Sequence, residues 1–380
     1  MDVGFIAAKY TCLGAFDIDK KAIAVHRKNV STNAIEADLR GIEKSQLIAN
    51  GVPDVIVSGS PCQGFSTVGR RDFNDPRNSL LLRAGEIAVD IKPKIFVAEN
   101  VSGALAGEHK YYWDSLDSLL RNNGYQTRTL KLNAADLGLA QRRLRIILIA
   151  WRGERELNFI QPSGGRVDLR KALGNLQDEL NPNENFFKLT KMQRVIARYI
   201  KPGQKLCDVR SGASAVHTWQ IPHAFGQVDE VERTVLEAVS VLRRRNRKRD
   251  WGDADPVAIR EISRYIGFAS SAIVSTLITK GYMRRIGHEV DLAHTFNGLY
   301  KRLNWDSISP TVDTRFGNPR YFLHPTEDRG FTVREAARIQ GFPDWFTFHE
   351  SMHDSFRMIG NAVPPPMAAY VAQAIRDLLK

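Results

Sequence analysis

Short apolar runs separated by amphipathic stretches dominate the first 150 residues. Val55-Ile56-Val57, Ile95-Phe96-Val97 and the run from Leu144 to Ala150 have the length and β-branched content of buried strands. Thr11-Cys12-Leu13-Gly14-Ala15-Phe16 reads as a further strand, followed by a helical stretch from Lys20 to Asn29. Apolar runs alternating with helices predict an α/β, doubly wound, mostly parallel sheet covered on both faces.

From about Gly153 this alternation stops, and Pro162-Ser163-Gly164-Gly165 reads as a linker. A helix through Val231, Val235, Leu236, Val239 and Leu242 ends in an arginine block. A second helix, through Ile259, Ile262 and Ile266, stops at Gly267, and a third, through Ile273, Val274, Leu277 and Ile278, stops at Gly281. Tyr282 to Leu292 fits a hairpin turning at Gly287-His288. Residues 230–292 thus fit a winged helix-turn-helix, with Ser270, Ser271, Ser275 and Thr276 toward a groove; a plain helical insertion fits the same pattern. Beyond residue 300, Thr332 with Glu335 three positions on marks a helix start. Gly341-Phe342-Pro343 follows, and Gly360-Asn361-Ala362-Val363-Pro364-Pro365-Pro366 precedes a final helix.

The 380 residues can bury a sizeable core and suggest two or three domains. A hydrophobic content of 43% and a charged content of 25% are those of an ordinary globular protein. No run of about 18 apolar residues predicts a membrane span, and the N-terminus lacks the pattern of a secretory signal. Cys12, Cys62 and Cys207 are widely spaced, without a CxxC or Cys/His pattern, so no disulfide framework and no metal site are expected. A reducing cytoplasm is the expected home. The net charge of +12 and pI of about 9.6 suit a polyanionic partner. The charge concentrates in Arg243, Arg244, Arg245, Arg247, Lys248 and Arg249, with Arg284 and Arg285 further on; phosphate contact is the expected role of this block.

Gly59-Ser60-Pro61-Cys62-Gln63-Gly64-Phe65-Ser66 follows the Val55-Ile56-Val57 strand. A cysteine just past a strand end, fixed by a proline and flanked by glycines, sits where open α/β sheets place their chemistry. The alternative is a buried structural cysteine.

This string resembles the nucleophile loop of the DNA cytosine-5 methyltransferases of bacterial, restriction-modification type. Glu99-Asn100-Val101, Gln141-Arg142-Arg143-Leu144-Arg145, Arg334-Glu335 with Gly341-Phe342-Pro343, and Gly360-Asn361-Ala362-Val363 match further motifs of that family in order. The resemblance covers residues 1 to 150 and 300 to 380. It implies a Rossmann-like S-adenosylmethionine methyltransferase sheet over residues 1–155, completed by 345–380, with a target-recognition domain over 156–344. By the same resemblance Cys62 is the nucleophile that adds to cytosine C6, held by Pro61, and Glu99 is the acid at N3. Arg143 and Arg145 would donate to O2 and to the catalytic loop; a structural role at the sheet edge is the alternative. The stretch from Ser66 to Leu82, with Arg70, Arg71, Asp75, Arg77 and Asn78, resembles the family's closing loop. Asp17, Ile18, Asp38 and Asn361 match positions that hold the methyl donor, S-adenosylmethionine. The partner implied is double-stranded DNA whose target base is flipped out, acted on by a monomer and paired in function with a cognate restriction endonuclease.

One motif is missing. The family begins with a strand running into a Phe-x-Gly-x-Gly-Gly turn, and Met1-Asp2-Val3-Gly4-Phe5 matches the stretch just after that turn. The expectation is a native protein extending upstream by about 10 to 20 residues, roughly one strand and a turn. The chain as it stands is then expected to bind S-adenosylmethionine poorly, as calorimetry would read. The alternatives are a catalytically impaired DNA-binding relative and a transfer-RNA cytosine-5 methyltransferase, the second disfavoured by the long variable region.

Overall fold

The structure, a computed structural model, describes all residues except 62–74, 76, 177–185, 246, 250–253 and 350. It has two compact units: Met1–Pro182 with Asp306–Thr314 and Val333–Lys380, and Asn183–Trp305 with Arg315–Thr332.

The first unit opens on helix α1 (Asp2–Ala7), strand β1 (Ala15–Asp17), helix α2 (Lys20–Asn29) and strand β2 (Ala34–Glu36). The Asp19 side chain caps α2 by accepting from the backbone N–H groups of Lys21 and Ala22, satisfying donors the helix start leaves open. Helix α3 (Lys44–Leu47), strand β3 (Val55–Gly59), helix α4 (Ser79–Ile91) and strand β4 (Ile95–Val101) follow. Helix α5 (Lys110–Asn122), strands β5 (Gln126–Asn133) and β6 (Leu144–Trp151) and helix α6 (Leu169–Leu173) complete this stretch.

Four strands lie in the order β3-β4-β6-β5, while β1 and β2 form a parallel pair of their own. β3 runs parallel to β4, but β6 runs antiparallel to both β4 and β5. The last predicted strand therefore breaks the expected parallel rule. Side chains alternate across the sheet. Phe96, Ala98, Ile146, Leu148 and Ala150 pack with Leu81 and Ala88 of α4 and Leu116 and Leu120 of α5. Ile95, Val97, Ile147 and Ile149 face the opposite core. Each fully buried aliphatic side chain of this kind contributes about 1.5–3 kcal/mol.

The second unit holds helices α7 (Lys191–Tyr199), α8 (Pro222–Phe225), α9 (Glu230–Arg245), α10 (Ile259–Ile266) and α11 (Ser271–Thr279). Strands β7 (Lys205–Cys207), β8 (Ala215–Val216) and β12 (Asn297–Leu299) form one sheet. Strands β9 (Val257–Ala258), β10 (Met283–Ile286) and β11 (Glu289–Leu292) form another, and β13 (Lys301–Arg302) pairs with β14 (Phe322–Leu323). The three helices and the hairpin expected within 230–292 all form. Gly267 (φ 84°) ends α10, and Gly287 (φ 60°) turns the hairpin, positions that favour glycine. α10 and α11 meet at 115°. Two sequence expectations change. Ser270 is buried and bonded to Ser263 rather than facing outward. Arg243, from the basic block, points inward to Asp291 at 2.8 Å. No single helix among the described residues is long and apolar enough to cross a membrane.

Asp208 lies buried in this unit and accepts from the Thr218 N–H (2.8 Å) and hydroxyl (3.1 Å) on one oxygen. Its other oxygen has no partner among the described residues, and burial pushes its carboxyl up to about 7. The folded unit therefore keeps a proton that the unfolded chain releases near pH 4. Below that pH both states are protonated and the contribution is full; it drains as pH rises toward 7 and then levels off. The expected result is a loss of up to roughly 4 kcal/mol between pH 4 and 7 from this group. It is checked by urea unfolding at a series of pH values, with Asp208→Asn flattening the profile. A variant that follows the parent at every pH would rule the assignment out.

The chain returns to the first unit with helices α12 (Val333–Ile339), α13 (Met352–Asn361) and α14 (Pro365–Ala374). α14 covers the second face of the sheet through Met367, Val371 and Ile375, beside Phe5 of α1. A Cβ on Gly4 would come within 2.3 Å of the Pro365 carbonyl oxygen, so only glycine lets α1 approach α14 this closely.

Candidate active site

Two charged side chains interrupt the apolar ladder at one end of the four-stranded sheet. Glu99 follows Ile95 and Val97 on one face of β4, and Arg145 precedes Ile147 and Ile149 on the same face of β6. In the antiparallel register Glu99 lies opposite Ile147, which makes Arg145 its diagonal neighbour. Arg145 Nε sits 2.7 Å from Glu99 Oε1, and both side chains are about nine-tenths buried. A pair this enclosed is held in one geometry, because separating it would strand a charge away from water.

Glu99 is also in parallel register with Gly59, the last residue of β3. The Asn100 amide reaches the Ser60 carbonyl at 3.5 Å, and the Ser58 and Ser60 hydroxyls are 3.2 Å apart. Pro61 is half-buried just past the strand end. Cys62, Arg70 and Arg71 lie outside the described residues. Of the expected closing loop, Asp75 and Arg77 form a close ion pair at 2.6 Å, and Asn78 is buried.

Arg143 is fully buried. Its guanidinium donates to the carbonyls of Val312 (2.9 Å), Gly360 (2.8 Å) and Ala362 (2.7 Å). Beside it the Gln141 amide donates to the Ile339 carbonyl (3.1 Å) and to Gln340 Oε1 (2.5 Å), while Gln141 Oε1 accepts from the Val312 N–H (3.2 Å). Gln340 in turn donates to the carbonyls of Ile359 (3.0 Å) and Ala362 (2.7 Å). This network ties the start of β6 to the 306–314 segment, the end of α12 and the end of α13. A Cβ on Gly360 would lie 2.3 Å from the Thr314 N–H nitrogen, so the segment also needs glycine there. Gln340 and Val312 were not singled out in the sequence; nothing in their spacing marks a buried amide or a carbonyl that an arginine will use.

Asp17, Ile18 and Asp38 lie at the carboxyl ends of the β1–β2 pair, where open α/β sheets bind ligands. Asp17 ends β1, is exposed, and accepts from the Asp19 N–H at 2.8 Å. Ile18 exposes 65% of its surface, high for a large apolar side chain. Asp38 lies just past β2, where Arg40 grips it at 2.5 Å; that guanidinium holds its carboxyl down at about 2. Asn361 is the exposed last residue of α13, next to the Gly360 that Arg143 holds. An exposed carboxylate beside an exposed apolar surface is a donor set that fits a ribose with its base.

The family model for C-5 cytosine-specific DNA methylases matches residues 1–377. The chain belongs to this family. It is 30% identical over 388 residues to the Type II methyltransferase M.XorII of Xanthomonas oryzae pv. oryzae, covering all of this chain and 82% of that one. It is 28% identical over 421 residues to the Type II methyltransferase M.HgiCII of Herpetosiphon aurantiacus, covering 98% and 93%. Two solved structures share its fold. The Entamoeba histolytica methyltransferase EhMeth has a TM-score of 0.57 at 13% identity, covering 100% of this chain and 96% of that one. The S. pombe Dnmt2 methyltransferase has a TM-score of 0.52 at 16% identity, covering 99% and 95%. The α/β sheet of the first unit is thus a methyltransferase sheet, and the family's methyl donor is S-adenosylmethionine. In the methylase, Glu99, Arg145 and Gly59 meet at one end of the sheet, and Arg143 of the same motif as Arg145 holds Gly360.

Proposed function

We propose that Cys62 is the nucleophile of a cytosine-5 methylation in duplex DNA and that Glu99 and Arg145 are its acid and its anion-stabilising partner. The observation that carries this reading is the enclosed Glu99–Arg145 pair at 2.7 Å, in register with Gly59, three residues before Cys62. The Cys62 thiolate adds to C6 of the flipped cytosine, and electron density moves through the ring toward N3 and O2. Glu99 delivers a proton to N3, and Arg145 donates to O2 while keeping the carboxyl group oriented. C5 thereby becomes the nucleophilic carbon. S-adenosylmethionine, when bound, supplies the electrophilic methyl group; Asp17 would hold its ribose, Ile18 its adenine face, Asp38 its amino group and Asn361 the far wall. Loss of the C5 proton to water then expels the thiolate from C6, and Glu99 takes its proton back from N3 as the aromatic ring is restored. Pro61 fixes the nucleophile's approach. Arg143, whose described donors go to backbone carbonyls, serves as a positioning residue for the Gly360–Ala362 segment rather than as a donor to the base.

The first unit carries this chemistry, and the second unit, which lies within residues 156–344, contributes the target recognition. In the second unit the 115° crossing of α10 and α11, across a four-residue break, with the β10–β11 hairpin beyond, supports a winged helix-turn-helix. Ser271, Ser275 and Thr276 on the exposed side of α11 would meet the base edges. The protein acts as a monomer in the cytoplasm, with a cognate endonuclease as its functional counterpart.

Bisulfite sequencing of DNA from a host lacking cytosine-5 methylation, expressing the chain with the family's first strand and Phe-x-Gly-x-Gly-Gly turn placed upstream of Met1, is expected to return protected cytosines within one recurring sequence. Uniform conversion would overturn the reading. Glu99→Gln, which cannot give up a proton, is expected to lower methyl transfer about 100- to 10,000-fold. A single-turnover rate within threefold of the parent would remove Glu99 from the acid's role.

A further inference from the structure

A cleft of about 480 Å³ in the second unit carries an unusual density of arginine. Arg210, Arg243, Arg249 and Arg284 line it with Asp291, Thr295 and Asn297. They come from four separate places: the end of β7, the end of α9, the segment after it, and β10.

Arg243 is the central group. Its side chain is only 5% exposed. Nε and one terminal nitrogen face Asp291 at 2.8 and 3.4 Å, and the other terminal nitrogen is buried with no hydrogen-bond partner among the described residues. A guanidinium presents its N–H donors in a rigid fork, so fixing one edge on Asp291 commits the free nitrogen to a set direction. A buried donor left without an acceptor is costly, and such groups call for an explanation.

The charge around it points the same way. Arg284 reaches Asp291 only at 3.5 Å and is 55% exposed. Arg249 pairs with Asp255, whose side chain is 9% exposed and which also accepts from the Lys248 and Arg249 N–H groups. Arg210 is exposed at the rim. Among the described residues that line the cleft, four guanidinium groups face one carboxylate, Asp291, around an unsatisfied donor. Thr295 and Asn297 add neutral hydrogen-bonding capacity to the wall.

We propose that this cleft binds a phosphate group, and that its occupant is a backbone phosphodiester of the DNA on which the methylase acts. Arg243 supplies the directed buried donor, and Arg210 and Arg284 supply charge at the mouth. Such a contact carries no base information; it fixes the register of the second unit on the duplex. The inference rests on the reading of the chain as a DNA methylase and adds to it a specific phosphate contact.

The test uses the full chain with Arg210→Ala and Arg284→Ala, because removing Arg243 would strand Asp291 and could unfold the unit. Binding to a duplex is measured by fluorescence anisotropy across a salt series, alongside methyl transfer to the same duplex. Loss of one phosphate contact is expected to lower the slope of log Kd against log salt by about 0.9. At fixed salt, affinity should weaken roughly tenfold for cognate and unrelated duplexes alike, and the catalytic loss should appear in KM for DNA. If both variants keep the parent's slope and affinity while the parent methylates DNA, the cleft assignment fails and the methylase reading stands. A parent that binds both duplex and S-adenosylmethionine but does not methylate the duplex would instead sink the catalytic reading. Inorganic phosphate supplies the last arm. If it raises the parent's Tm but not the variants', and DNA binding is unchanged, the cleft serves a free anion and the DNA assignment is overturned.

Discussion

Cys62→Ser is expected to lower methyl transfer by more than about 1,000-fold while the protein still binds duplex DNA. Oxygen and sulfur differ here in availability as nucleophiles. A cysteine near neutral pH already holds a few per cent thiolate, whereas a serine hydroxyl needs a base to activate it. Glu99 cannot serve as that base, since the proposed chemistry requires it to give a proton to N3. The assignment can also be read without the methyl donor. Addition at C6 alone makes C5 basic enough to take a proton from water and return its own, so exchange of the C5 hydrogen into solvent reports the first bond. The parent is expected to catalyse that exchange and Cys62→Ser to lose it. Exchange that survives the substitution would locate the nucleophile elsewhere.

Arg143→Met is expected to cost the first unit about 3–6 kcal/mol, because the carbonyls of Val312 and Gly360 lose a charged donor inside the protein and Ala362 keeps only Gln340. Against a typical total of about 5–15 kcal/mol that loss brings the fold near its limit. Arg143→Lys keeps the charge but cannot span three acceptors set around a planar fork, and should fall between the two. Urea unfolding of the full chain, followed by a probe in the first unit, checks this order. A methionine variant within about 1 kcal/mol of the parent would show that the three hydrogen bonds are dispensable.

The pattern of apolar residues located most of the first unit. It found α2 over Lys20–Asn29 and the strands at Val55, Ile95 and Leu144, because buried strands must be apolar on both faces. It missed β5, Gln126–Asn133, whose side chains are largely exposed at the sheet edge and spell no apolar run. It also could not show that β6 runs antiparallel, since direction leaves no mark in hydrophobicity. The three helices and the hairpin within 230–292 were visible because amphipathic helices and glycines at positive φ are local features. The inward turn of Arg243 was not, because it depends on Asp291, 48 residues away. Glu99 and Arg145 were readable only as motif residues; their 2.7 Å meeting is a product of the β4–β6 register. The roles of Arg143 and Gln340 were hidden for the same reason, since their partners are backbone carbonyls from distant segments.

The positions of β3 and β4 in the sheet differ in one respect that bears on motion. β4 is hydrogen-bonded on both sides, by β3 and β6, whereas β3 stands at the end of the order, with β4 as its one strand partner among the described residues. Opening β4 would disrupt two ladders and both cores, so its amides should exchange with solvent only through global unfolding. β3 can open at the expense of a single ladder, and its amides should exchange by a cheaper, local route. Glu99, the proposed acid, is thus anchored at the middle of the sheet, while the segment leading to Cys62, the proposed nucleophile, departs from its margin. Hydrogen exchange along the chain would then grade the two halves of the reaction by rigidity, with a stationary carboxyl group awaiting a nucleophile whose support can adjust.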